Sequence, residues 1–178
     1  MSSPRSRQRQ AVADLARLAL REIELTWPRL TPESLPEVLA ALAGKYGDAA
    51  AALAADWYEA EREAARVGGR FAPVLAEVPD IGRWQSLAGW AYAMATSDGA
   101  ALALVSGGFQ RSLADQHRLT VARSSVADPA ARGWARVGDG SSCDFCRSLI
   151  GRGGVYTSET ADFLSHDHCG CISAPAFH

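Results

Sequence analysis

At 178 residues the chain is long enough for one domain with a real core, or for a helical body carrying a smaller appendage, and two unequal parts fit its patterning better. Its 18 Lys and Arg against 20 Asp and Glu give a formal charge of −2, which argues against nucleic acid binding over the whole surface, because that affinity comes from many neutralised phosphates. No apolar run is expected to cross a bilayer, since Asp98 and Gly107-Gly108 enclose the most apolar stretch, and the basic start leads into Asp14, Glu22 and Glu24 rather than a signal core.

Over residues 8–27 the apolar positions Val12, Leu15, Ala16, Ala19, Ile23 and Trp27 recur at helical steps, so one stripe faces a partner until Pro28 ends the helix. Thr31 and Ser34 both offer a capping hydroxyl for the next helix, the second with Glu37 placed for a capping box. From there Leu39, Leu42, Tyr46, Ala49, Leu53, Trp57, Ala60, Ala64 and Val67 stay in phase, which predicts one long helix stopped at Gly68-Gly69. A Pro-containing connector over 71–81 leads to a helical pair, one through Trp84, Leu87, Ala91 and Met94, the other through Leu102, Val105, Phe109 and Leu113, with Gly107 and Gly108 counting against the second.

Aromatic and leucine stripes at this spacing read as packing surface, and no cofactor or small-molecule substrate follows from them. Glu59, Glu61, Arg62, Glu63 and Arg66 read as a solvated charged face. Trp57 and Tyr58 are adjacent and so point about 100° apart on a helix. One of them is therefore expected to meet another protein. After Ser125 the character changes to Asp128-Pro129 and an alternating segment from Trp134 to Val137, which places a junction between a helical body, 1–125, and a C-terminal module, 126–178.

All four cysteines and two of the four histidines fall in that module, as Cys143-x-x-Cys146 and His166-x-His168-Cys169-x-Cys171. A C-x-x-C step lets two thiolates reach one tetrahedral ion, and His166 to Cys169 repeats the step with an imidazole. A module of this size buries too little apolar surface to fold firmly alone, so a structural zinc supplying the missing stability is the expectation, with disulfides or inert thiols as the alternatives. Chelation should then loosen the module before the helices. Candidate ligands are Cys143, Cys146, His166 and Cys169, with Cys171 as competitor and His168 as bystander. No H-x-E precedes a P-C-x-x-C and no HExxH is present, so neither zinc deaminase nor metalloprotease signatures occur, and spare ligands favour a closed structural ion over a catalytic one.

Trp134-x-Arg136, Cys143-x-x-Cys146-x-x-Leu149, Gly153-Gly-Val-Tyr156 and His166-x-x-Cys169-x-Cys171 before Pro175 resemble the C-terminal half of the phage Mu F-like minor head proteins, and the Tyr-Gly and Trp-Tyr elements over 46–70 resemble the helical half of versions from phages of actinobacteria. The resemblance implies a non-enzymatic minor capsid protein, made in the host cytoplasm and held inside the head near the portal vertex. It would touch portal and possibly major capsid protein, serve head morphogenesis, packaging or ejection, and leave no room after Cys171 for an appended enzyme. The expected fold is mainly α, an N-terminal antiparallel helical body with a small α+β metal-stapled module. Two other functions stay open. Arg132, Arg136, Arg147 and Arg152, with Phe145 or Tyr156 to stack on a base, would suit a zinc-stabilised DNA-binding module, although Asp139, Asp144, Glu159, Asp162 and Asp167 return the charge. His166, Asp167 and His168 together would suit a metal-dependent nuclease.

Overall fold

The computed structural model describes residues 3–157, 163 and 165–177. Among these, helices dominate and one two-stranded sheet lies near the C-terminus. Helix α1 (Pro4–Thr26) begins where Ser3 Oγ accepts from Ser6 N at 3.1 Å, with Pro4 at a position that needs no N–H donor. Its buried residues are Gln8, Val12, Ala16, Ala19 and Ile23, the expected stripe with a polar residue at its head. At Pro28 the chain tightens into a 3-10 turn, Trp27–Arg29, and the Trp27 indole donates to Asp98 at 2.9 Å.

Helix α2 (Leu35–Ala64) is a single long helix, as its phase implies, but both of its ends differ from expectation. Ser34 is the N-cap but its hydroxyl makes no capping bond into the helix; it instead accepts from Thr31 N at 2.9 Å, while Thr31 Oγ1 accepts from Ser34 N at 3.3 Å in the turn before α2. The helix stops before Gly68-Gly69. Arg66 takes the left-handed conformation at φ 55°, allowing Arg66 N and Val67 N to bond back to Glu63 O at 2.9 Å and Arg62 O at 3.0 Å.

Helices α3 (Ile81–Met94) and α4 (Asp98–Ala127) are capped by Asp80 and Ser97, whose side chains accept from Arg83 N and Ala100 N. Gly107 and Gly108, expected to weaken α4, instead lie in its interior, where a Cβ on Gly108 would come within 2.4 Å of Leu87 Cδ1. The missing side chain lets α3 close on α4. Helix α1 is antiparallel to α2 and to α4, as the contacts Gln8 to Leu53 and His117, Glu22 to Lys45 and Trp27 to Asp98 require. With α3 also antiparallel to α4, helices α2 and α4 run parallel: Gly47 lies against Gln116, and Tyr58 reaches Ser124 and Asp128. Trp84 and Phe109 meet at 5.3 Å between ring centres in the main core, each nearly fully buried and therefore each contributing about 2 to 3 kcal/mol of transfer free energy.

Several expectations for side chains are corrected. Ala49, Ala60 and Ala64 are exposed, because the buried stripe of α2 runs through Ala43, Gly47, Ala50, Ala54 and Tyr58 and ends on Arg62. Arg62 is consequently no part of a solvated face: it is buried and paired with Asp128. Trp57 and Tyr58 do diverge, but both are buried, Trp57 stacked on His117 and Tyr58 packed against Phe71 and Phe177, so neither is an exposed docking residue. Met94 is 63% exposed although Trp84, Leu87 and Ala91 of the same stripe are buried. By length and composition α2 could cross a membrane, contrary to the reading that no segment comes close, and its buried face is covered by the other helices.

Strand β1 (Gly133–Val137) pairs antiparallel with β2 (Ile172–Ala176), Trp134 opposite Pro175 and Val137 opposite Ile172. Two strands alone are marginal in water. Here Ile172 and Ala174 join Val12, Ala54, Trp57, Tyr58, Ala114 and Val121 in one apolar cluster, which draws residues from both sides of position 125. Arg9 Nε also donates to Gly170 O at 3.0 Å, tying the first helix to the segment before β2.

Candidate metal centre

The short helix α5 (Asp144–Ile150) begins at the C-x-x-C step, where Cys143 is the N-cap and its sulfur accepts from Cys146 N at 3.5 Å. The same contact and His166 hold the Cys143 thiol down to about 7. Before it, Asp139 accepts from Ser141 N and pairs with Arg9 at 2.6 Å. The Ser141 hydroxyl first, then Arg9 and Ser141 N, hold the Asp139 carboxyl down at about 2. Gly138 leaves room for the close approach of Ser142, Ile150 and Cys171, since a Cβ there would lie 2.2 Å from Ser142 Oγ and 3.0 Å from Cys171 Sγ.

The sequence-separated donors meet. Cys143 Sγ lies 3.3 Å from His166 Nε2, and Cys146 Sγ lies 3.7 Å from Cys169 Sγ. Two triads result, Cys143 with Cys146 and His166, and Cys146 with Cys169 and Cys171, each with all ligand atoms within 4.8 Å. Cys146 belongs to both. All four cysteines are free thiols, so this cluster could hold a metal ion. His166 Nδ1 lies 2.7 Å from Asp167 O, and the bond it donates leaves Nε2 as the nitrogen that could meet an ion. Bonding at Asp167 and to Cys143 raises the His166 pKa. Cys169 is pushed well down by the bond it accepts from the Cys171 thiol and by Arg118, while Cys171 is pushed up by Cys169 and by burial. Burial likewise raises Cys146.

His168, expected to be a bystander, turns away: it adopts a left-handed φ of 62° and its Nδ1 meets Gln110 Oε1 at 2.9 Å. With Asp167 paired to Arg111 at 3.3 Å, the three side chains of His166, Asp167 and His168 face different partners. Of the arginines considered for DNA, Arg136 is buried with Nη1 3.3 Å from Cys146 Sγ, and Arg147 is tied to Asp144 and Ser142 O, whereas Arg132 and Arg152 are exposed. Phe145 is exposed and Tyr156 half-buried on Trp134. Glu159 and Asp162 lie outside the described residues.

Two groups at the site were not legible as such. Phe163 lies beneath the guanidinium of Arg136 at 3.8 Å and beneath that of Arg118 at 4.7 Å. Arg118, 1% exposed, also donates to Cys169 O and Cys171 O. Only the Trp134-x-Arg136 pattern signalled either arginine.

A helical protein with a C-terminal Cys and His cluster that could hold a metal ion is the class that fold and site define. A family model described as VG15 protein matches residues 2–178, and the chain belongs to that phage protein family. No curated protein and no solved structure matches it.

Proposed function

We propose that this phage protein is a non-enzymatic minor head protein, portal-associated and inside the head near the portal vertex, with major capsid protein and packaged DNA as further contacts in head morphogenesis, packaging or ejection. The observation that carries the reading is the convergence of Cys143, Cys146, His166 and Cys169, the residues of the Mu F-like signature, within a chain matched to a phage family over nearly its whole length. The ion is structural zinc. A tetrahedral site with thiolates at about 2.3 Å and imidazole at about 2.0 Å has sulfur–sulfur edges of about 3.8 Å and sulfur–nitrogen edges of about 3.6 Å. The observed 3.7 Å and 3.3 Å contacts are close to two edges of such a figure, while the four donors fall in two triads that share Cys146 and not in one group within 4.8 Å. Cys171, beside Ser142 and the other sulfurs, is the reserve donor.

Neither alternative gains a specific observation. The diverging side chains of 166–168 do not form one nuclease site, and the burial of Arg136 removes a phosphate contact. The test is a nonsense mutation of the gene in its phage, followed by mass spectrometry of purified proheads and virions and microscopy of mutant heads. The protein should be a low-copy component of heads and its loss should leave aberrant, unfilled or non-infectious particles. Absence from both proheads and virions would overturn the proposal.

A further inference from the structure

One stripe of α4 is given over to the ligand-bearing segment 165–171. Gly107 admits Asp167, whose Oδ2 would lie 3.1 Å from a Cβ there, and Arg111 pairs with the same aspartate at 3.3 Å. One turn on, Gln110 meets His168, and Asp115 Oδ1 accepts from Ser165 Oγ at 3.0 Å, next to His166. Arg118 completes the row. Its Nε donates to Cys171 O at 2.9 Å, Nη2 to Cys169 O at 2.6 Å and Nη1 to Asp115 Oδ1 at 2.6 Å. Ser173 Oγ returns a bond to Arg118 O at 3.1 Å. The two bonds to Cys169 O and Cys171 O are charge-assisted and buried, made to the main chain of the ligands and needing no ion.

The other half of the site is built differently. Cys146 is the one buried residue of α5, and a helix this short does not persist without packing. It leans on β1 through Cys146 and Ile150, with Arg136 reaching the Cys146 sulfur.

We infer that α4 is the fixed jaw of the metal site: Arg118, braced by Asp115, positions Cys169 and Cys171 without an ion, and the ion gathers the α5 knuckle of Cys143 and Cys146 onto them. This rests on the metal reading above and narrows it, since loss of the ion then frees α5 and not the whole module. Arg118 is a positioning residue that touches the ligands' carbonyls and not their sulfurs.

Amide hydrogen exchange on the full chain, with zinc and with a chelator, tests this. In chelator, amides of 145–150 should exchange at least about tenfold faster than with zinc, while those of 169–173 stay within about threefold. Equal loss of protection in both segments would overturn the fixed jaw. Arg118→Lys keeps the charge but not the forked geometry, and in chelator it should speed exchange over 169–173 by at least about tenfold with α1 and α2 unchanged. Unchanged exchange there would remove Arg118 from the role. Zinc that alters neither segment would overturn the metal reading and the α5 half with it, a result distinct from failure of the α4 half.

Discussion

Arg62 near the end of α2 and Asp128, just past α4, form an ion pair with side-chain exposures of only 8% and 2%. Tyr58 donates to the same carboxylate at 3.0 Å, and the rings of Phe71 and Phe177 lie against the guanidinium. Removing one member leaves an uncompensated charge in the core. Asp128→Ala should therefore cost about 3 to 5 kcal/mol in denaturant unfolding. The double change Arg62→Met with Asp128→Leu should recover most of that loss. A cost below about 1 kcal/mol for Asp128→Ala would mean that water reaches the pair.

Purified protein should carry about one zinc per chain by elemental analysis. Cys146→Ala and Cys169→Ala should abolish stoichiometric binding. Cys171→Ala, which removes a neighbour of the ligand set, should weaken it by about 10- to 100-fold. If Cys171→Ala abolishes binding and His166→Ala leaves it intact, the ion is held by the four sulfurs.

His117 is fully buried, with Nε2 2.9 Å from Gln8 Nε2, an amide that also bonds Leu53 O at 3.1 Å. The amide donates, so the imidazole proton sits on Nδ1. Burial, and then the charge of Arg118, hold its pKa down to about 3 from 6.5. The unfolded chain thus binds more protons between those values, and the stability His117 contributes is present above pH 6.5 and lost as the pH falls toward 3. His117→Gln should flatten the fall in unfolding free energy across that window relative to wild type. Parallel curves for the two proteins would show that His117 does not titrate on unfolding.

Gly133 opens β1 at φ 142°, and a Cβ there would lie 2.3 Å from Tyr156 O, the acceptor for Trp134 N. Gly133→Ala should cost about 3 kcal/mol, through a disfavoured backbone and the lost bridge to Tyr156. Thermal unfolding followed by tryptophan fluorescence would register it; a shift of less than about 2 °C would indicate that the Tyr156 segment moves aside freely.

The helices were legible because their burial repeats with the period of the helix: Val12, Ala16, Ala19 and Ile23 could face nothing but a core. That the thiols and His166 come together was legible because thiols and imidazoles at two-residue gaps have few other uses. Buried arginines were not. Arg62 and Arg118 carry no local mark separating them from surface arginines, since what buries them is a carboxylate or a pair of carbonyls that is distant in sequence. Strand β2 escaped for a related reason: Ile172–Ala176 contains a proline and lacks alternation, and it is fixed by α4 as well as by β1.

The contact of Arg9 with Gly170, and the cluster joining Val12 to Ile172 and Ala174, close the chain on itself over nearly its full length. On the ribosome, α1 to α4 emerge with that end of their core open, because the strand that seals it is made after them. Maturation of the bundle is thereby timed by translation of Ile172–Ala176, and chains released before it would present Trp57 and Tyr58 to their neighbours as an adhesive surface.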